Sequence, residues 1–487
     1  MPHSKDTILV KFKLNANIKA IENSSKSKVE KTIPRIDVKV MKVPLNKTAE
    51  EMVEHFNKLP SVEYAELNGI TESLQNTSIP DDTDYGDQFH LPGIRCPEAW
   101  YISKENSGIV VAVLDSGIDV NHEDLADNIH VSSWNIVDDN DNVHTTHNHG
   151  TAVAGIVGAV TDNYTGIAGV AWNCGLMVIR VLTDGRGTLA DIVNGTIYAV
   201  DNGAHVINMS FGGSSYSQTL EQACQYAYNN GVAICAAAGN AKHDGVIYPA
   251  KFDTVIAVGG VTDEYSHDST SRGYDLSVSA YASGVITTAS NDNYFGVQGT
   301  SYASPQVAGV VVLLLSQNAY LTPFEIKRAI EAGANKDIYG GDYDPYDHGH
   351  GKLDAYASLM LVVNDEIPLW VNVLVATDIE YDSATLRCRI DGLMGWLSAD
   401  VYFQYREVGE ADWISTTPQT ITEAGILSVG ITGLDAGTEY EYRPVIEWDG
   451  GVESAEGWTL TFTSLLAPPV LQGVYTEGVI RLSWGVV

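Results

Sequence analysis

Val110-Val111-Ala112-Val113-Leu114-Asp115-Ser116-Gly117 is a run of five apolar residues that ends on a carboxylate, a hydroxyl and a glycine. An apolar run without alternation marks a strand buried on both faces, which occurs where helices cover both sides of a parallel sheet. Its surroundings repeat the theme. Strands are expected at Gly108–Leu114, Gly175–Val181, His205–Met209, Val232–Ala238 and Thr254–Val258. Helices are expected at Thr151–Val160, Ala190–Asn202, Thr219–Asn229, Ala303–Gln317 and Pro323–Ala332. This alternation predicts an α/β unit with a doubly wound parallel sheet over residues 80–362, whose ligands sit beyond the carboxyl ends of the strands.

The flanks read differently. Residues 7–15 and 36–43 alternate apolar with basic residues, and Thr48 and Glu51 stand in capping-box relation ahead of Met52, Val53, Phe56 and Leu59 at helical spacing. Residues 1–75 are therefore expected to form a small α+β unit. Past Glu366, short strands rich in Thr, Val and Tyr alternate with Gly turns, predicting an all-β sandwich over 367–466. Residues 467–487 then begin a further β-module or add extra strands.

At about 150 residues per domain, 487 residues exceed one core. The chain carries 62 Asp and Glu against 28 Lys and Arg, a net charge of −34, which excludes the basic footprint of a nucleic-acid binder. Residues 1–80 hold 12 Lys and Arg against 10 Asp and Glu, a balance of +2, so the rest carries −36. No apolar run approaches the roughly 18 residues of a membrane span. The start shows no apolar signal region. Five cysteines, widely spaced and without a C-x-x-C pair, read as small buried apolar side chains, with one or two disulfides possible.

Three central segments each place a reactive side chain where a strand or loop meets a helix of small residues: Leu114-Asp115-Ser116-Gly117, His149-Gly150-Thr151-Ala152-Val153-Ala154-Gly155 and Gly299-Thr300-Ser301-Tyr302-Ala303-Ser304-Pro305. Singly, such an Asp or Ser is more often a turn or cap residue. A hydroxyl nucleophile, however, needs a base, and the base an orienting carboxylate. In the order Asp, His, Ser, these segments resemble the D-S/T-G, H-G-T-x-V-A-G and G-T-S-x-A-x-P motifs of the subtilisin-like serine proteases. The resemblance spans roughly residues 80–360.

It implies that Ser301 attacks the scissile carbonyl, that His149 accepts and then returns its proton, and that Asp115 holds the imidazole. Asn240, in Ala236-Ala237-Ala238-Gly239-Asn240, is implied as the side-chain donor to the oxyanion beside the Ser301 N–H. Loss of that donor costs on the order of 3–4 kcal/mol, a value that belongs to subtilisin itself. An Asn rather than an Asp there separates the chain from the acid-acting sedolisin relatives and implies activity near neutral pH. Ser210-Phe211-Gly212-Gly213 resembles the strand that pairs with substrate backbone, with Gly185-Arg186-Gly187 opposite. A P1 pocket is implied at Phe211, Gly212, Ala237, Ala238, Gly239 and Ala241; holding no carboxylate, it favours apolar or aromatic residues. Leu189, Ile192 and Phe211 are implied at an apolar P4 site, or else are simple core.

Residues 160–167 (VTDNYTGI) resemble the calcium loop of thermitase-like members. The implied ligands are the carboxylates of Asp82 and Asp124, the Asn163 side chain, and the carbonyls of Val160, Thr165 and Ile167, a hard-oxygen set suited to Ca²⁺. His144, His147 and His149 with nearby acids suggest a transition metal only weakly, and Asp342–Asp347 a second cation only weakly. Residues 1 to about 70 resemble the family's propeptide, chaperone and temporary inhibitor, cut between about Leu67 and Pro80. Residues 401–406 and 433–443 resemble a fibronectin type III-like module. A secreted, monomeric, self-processing endopeptidase is the expectation. A binding protein that cleaves only itself, or an acyl transferase on the same scaffold, are the alternatives.

Overall fold

The computed structural model describes residues 3–13, 16–33, 35–44, 47–69, 77–104, 108–242, 245–262, 270–337, 343–368, 371–390, 398–448, 451–454, 459–466, 470–476 and 479–485. It divides into two compact units, residues 1–76 and 77–487.

The first unit runs β1 (His3–Phe12), α1 (Ile18–Ser25), β2 (Val29–Ile33), β3 (Val38–Lys42), α2 (Ala49–Asn57) and β4 (Val62–Gly69). Its antiparallel sheet, in the order β2-β3-β1-β4, shares with α2 a core of Ile8, Val10, Met41, Met52 and Phe56. Both hydrogen bonds of the Thr48–Glu51 capping box form. Helix α1 is not foreseen from the sequence: it has only eight residues, and none of them is fully buried.

The second unit opens with α3 (His90–Gly93), α4 (Cys96–Ile102), β5 (Val110–Asp115), β6 (Trp134–Asn135), α5 (Asn148–Gly158), β7 (Gly175–Arg180), α6 (Leu189–Asp201) and β8 (Val206–Met209). It continues through α7 (Gln218–Asn229), β9 (Ala233–Ala237), β10 (Val255–Val261), β11 (Val278–Tyr281), the β12 (Ser283–Ala289) and β13 (Asn293–Gln298) hairpin, and α8 (Thr300–Gln317). Helices α9 (Pro323–Gly333), α10 (Pro345–His348) and α11 (Ala355–Val363) close this part. Seven strands form one parallel sheet in the order β11-β10-β9-β8-β5-β7-β6. The unbroken apolar run of β5 is explained by its two faces: Val111 and Val113 join one buried cluster with α5 and α8, while Ala112 and Leu114 join another with α6 and α7. The chain leaves β5 for β6 and β7 on one side and then crosses to β8 on the other. Asp115, the last residue of β5, thus stands at the switch point where parallel sheets open a crevice.

A strand-rich region follows: β14 (Asn372–Thr377), β15 (Ser383–Ile390), β16 (Ala399–Glu407), β17 (Ile414–Ser415), β18 (Gln419–Ile421), β19 (Gly425–Thr432), β20 (Glu439–Trp448), β21 (Gly451–Ser454) and β22 (Leu460–Thr463). Sheet β14-β15-β19 and the sheet built on β16 and β20 enclose one core around Leu386, Val401, Phe403 and Tyr442. Arg389 pairs with Asp253, and a cavity of about 480 Å³ lies between this region and the α/β part. Strands β23 (Val470–Thr476) and β24 (Val479–Gly485) pair antiparallel. All five cysteines are buried and unbridged. Among the described residues, no helix is long and apolar enough to cross a membrane.

Candidate active site

Asp115, Ser210, Asn240 and Ser301 come from four elements that meet at the carboxyl edge of the sheet. Asp115 ends β5 fully buried, and its two carboxylate oxygens each lie 2.9 Å from His149 Nδ1. The Ser116 N–H, at 2.7 Å, holds Oδ1 in place. His149 lies in the first turn of α5, which begins at Asn148 rather than at the expected Thr151 because His147 Nδ1 caps it. The glycines of these motifs are steric necessities. A Cβ on Gly150 would stand 2.1 Å from the Gly117 carbonyl and 3.2 Å from Asp115, and one on Gly117 would stand 2.4 Å from the Val143 carbonyl. Burial pushes the His149 pKa down, but the charge and hydrogen bond of Asp115 outweigh it, and the net shift is upward.

Ser301 lies in the first turn of α8, which begins at Thr300, so no carbonyl of its own helix can reach its N–H. Gly299 takes φ 131°, open to glycine and strained for other residues. Thr300 gives both its N–H (2.9 Å) and its hydroxyl (3.0 Å) to Asn240 Oδ1. A backbone N–H can only donate, so the amide must present its oxygen there. Nδ2, which takes no described partner, is left as a donor near Gly299.

The Ser301 hydroxyl does not bond His149 in this structure. It donates to the Ser210 carbonyl at 2.9 Å, while the Ser210 hydroxyl donates to the Ser301 carbonyl at 2.7 Å. That second bond has a clear origin. Pro305, four residues on inside α8, has no N–H to give the Ser301 carbonyl, which is therefore free for Ser210. Asn208 Nδ2 donates to Ser210 Oγ, and Asn208 Oδ1 accepts from Ser304. Rotation about one χ1 bond carries a serine hydroxyl between partners, and such contacts often tighten only when substrate binds.

The expected peptide-binding walls lie beside these groups. Gly212 and Gly213 are exposed after β8, and Phe211 is half-buried in the same cluster as Ile192, whereas Leu189 is exposed at the start of α6. Ala237 and Ala238 are buried, Gly239 has φ 110°, and Ser271 Oγ donates to the Ala241 carbonyl. Gly185, with Asp184, makes a tight turn at positive φ, and a Cβ on Gly187 would stand 2.4 Å from the Val181 carbonyl. One residue the sequence does not point to joins the walls. Ile247, half-buried, reaches between Gly212 and Gly239.

Asp82, Asp124 and Asn163 also converge. Asn163 Nδ2 donates to Asp124 Oδ1, the Ile167 N–H to Asp124 Oδ2, and the Asp162 N–H to Asp82 Oδ2. Asp82 Oδ1 is buried with no partner, and no described residue donates to the carbonyls of Val160, Thr165 or Ile167. Burial, with the nearby Asp82 charge, pushes Asp124 up to about 7 despite its hydrogen bonds. An orphaned buried oxygen, two close carboxylates and idle carbonyls are what a hard cation would satisfy, so the residues fit Ca²⁺. The histidine cluster does not make a metal site: among the described residues no group of three His, Cys, Asp or Glu could hold an ion. His147 caps α5, and His144 faces Asp119 at 3.6 Å. In the acidic run, Asp344 caps α10 and Asp347 pairs with Arg272, while Asp342 lies outside the described residues, as do residues 70–76 of the expected cleavage stretch.

Comparison with known proteins gives the same picture. The Subtilase family model matches residues 106–351, and the Fervidolysin N-terminal prodomain model matches residues 2–68. The chain is 37% identical over 355 residues to the thermophilic serine proteinase of Bacillus sp. (strain AK1), covering 72% of this chain and 86% of that one. It is 38% identical over 284 residues to thermitase of Thermoactinomyces vulgaris, covering 58% of this chain and 99% of that one. A solved protease from Pseudoalteromonas arctica superposes with a TM-score of 0.53 at 30% identity, covering 58% of this chain and all of that one.

Proposed function

The chain belongs to the subtilase family of serine proteases, and from that premise we propose that it is a calcium-stabilised, secreted endopeptidase made as a self-processing zymogen. The observation that carries the reading is the meeting of a buried Asp115 hydrogen-bonded to His149, an Asn240 amide whose Nδ2 takes no described partner, and Ser301 in the first turn of a helix.

With a peptide in the cleft, the Ser301 hydroxyl turns to His149, which takes its proton as Oγ attacks the carbonyl. Asp115 keeps Nδ1 protonated and stabilises the imidazolium. The tetrahedral oxyanion receives the Ser301 N–H, at the positive end of α8, and Asn240 Nδ2. His149 then protonates the leaving amine, and water repeats the sequence to release the acyl group. The substrate backbone adds as a strand along Ser210–Gly213, opposite Gly185 and Gly187, with Leu189 and Ile192 meeting an apolar P4 side chain. No carboxylate lines Gly212, Ala237, Ala238, Gly239 or Ala241, which favours an apolar P1 side chain.

Asp82, Asp124, Asn163 and the carbonyls of 160, 165 and 167 would hold Ca²⁺. Once bound, the ion neutralises the paired carboxylates and ties residues 82 and 124 to the loop. The first 75 or so residues act as chaperone and inhibitor until cleaved, assisted by their +2 charge against a remainder of −36. Residues 367–466 form a module of fibronectin type III kind. Supporting this, the Asp435 N–H donates to Tyr440 Oη at 2.9 Å, the tyrosine-corner contact of such sandwiches.

Incubating the full chain and a Ser301→Ala variant with calcium tests the reading. The parent should lose its N-terminal segment and then hydrolyse added peptides, and the variant should do neither. Self-cleavage without turnover of added peptide would favour the self-cleaving binding protein.

A further inference from the structure

Gly212 and Gly239 both belong to the slot in which the endopeptidase reading seats the P1 side chain, and neither brings a side chain of its own. Ile247 fills the space they leave. Its Cδ1 stands 2.7 Å from where a Cβ on Gly212 would be and 3.2 Å from where one on Gly239 would be, so one methyl group reaches both walls. The backbone fixes it there. The Ile247 N–H donates to the Ala238 carbonyl at 3.1 Å, and the next residue, Tyr248, exchanges two 2.9 Å hydrogen bonds with Gly213. The segment carrying Ile247 is thus pinned to both walls at once. Val246, the residue before it, is buried, and the β-branched side chain of Ile247 has few χ1 choices. Because it is only half-buried, its remaining surface is open.

We infer that Ile247 is the floor of the P1 slot and restricts it to small side chains (Gly, Ala, Ser, Val), excluding Phe and Tyr. The inference rests on the endopeptidase reading and narrows the apolar or aromatic P1 range expected from the sequence. Ile247 is a specificity-determining residue: it meets the P1 side chain and moves no proton.

The test uses the calcium-loaded, self-processed enzyme and peptide anilides differing only at P1 (Gly, Ala, Val, Leu, Phe). Concentrations of competent enzyme are fixed by titration with a serine-directed phosphonylating reagent. The unaltered enzyme should turn over the Ala peptide best and the Phe peptide roughly 10–200-fold less well in kcat/KM, the span a hydrophobic slot enforces. Ile247→Gly and the milder Ile247→Ala should raise the Phe-to-Ala ratio of kcat/KM by most of that factor. An unaltered enzyme that prefers Phe overturns the inference by itself, even if both variants misfold. Titratable variants with an unchanged P1 profile overturn it as well. Failure to cleave any peptide of the series after loss of the N-terminal segment would sink the endopeptidase reading, and this inference with it.

Discussion

His149 is a half-buried imidazole beside a fully buried carboxylate, and the two influences on it oppose each other. Burial disfavours the imidazolium, while Asp115 favours it through charge and hydrogen bond, and the upward shift shows that Asp115 prevails. A protonated His149 cannot accept the Ser301 proton, so the acid limb of kcat/KM should fall above 6.5, the ordinary histidine value. A profile of kcat/KM between about pH 5 and 10 checks this, and a limb below that value would contradict it. Around the same pair, the motif glycines were legible as letters but their reasons were not. Only the fold shows that a Cβ at position 150 would strike the Gly117 carbonyl. Ile247 went unmarked for a related cause. An isoleucine ahead of Tyr-Pro carries no chemical signal until the chain brings it between two distant glycines.

At the scale of elements, α8 shows how one backbone defect is put to use. A proline inside a helix leaves the carbonyl four residues earlier without a donor. Here that carbonyl belongs to Ser301, and the Ser210 hydroxyl takes the vacant place at 2.7 Å. Ser210→Ala should leave the carbonyl unsatisfied, cost about 1–3 kcal/mol of stability, and lower kcat more than KM because the nucleophile loses its tether. Adding Pro305→Ala restores an N–H within the helix and should recover much of the lost stability but less of the activity. Chemical denaturation of the single and double variants measures the coupling, and strict additivity would refute the link. The strands and helices themselves were readable because burial on both faces of the sheet forces long apolar runs. The differences lie at ends and in short elements: α5 and α8 each begin three residues earlier than expected, since caps supplied by His147 and the turn at Gly299 leave no apolar period to detect, and β6, β11 and the β12–β13 pair were not foreseen.

For the whole molecule, the charge of −34 sits almost entirely outside the first 80 residues, and two of its carboxylates, Asp82 and Asp124, are brought together by the fold. Removing calcium should therefore destabilise the second unit. At a free ion concentration about 100 times Kd the linkage is about 2.7 kcal/mol, or roughly 3–5 °C in Tm for a unit of this size, and a chelator titration followed by calorimetry measures it. No shift would rule out the site.

The sequence by itself determined the alternation of buried strands and helices, the three reactive segments and their order, and the division of charge, because each is written in neighbouring residues. The tertiary structure decided the rest: which atom of the Asn240 amide is tied down, where the Ser301 hydroxyl rests, which acids are brought together, and where the Ile247 side chain lies against Gly212 and Gly239. These depend on atoms from strands and loops up to 91 residues apart, and local periodicity carries no record of such meetings.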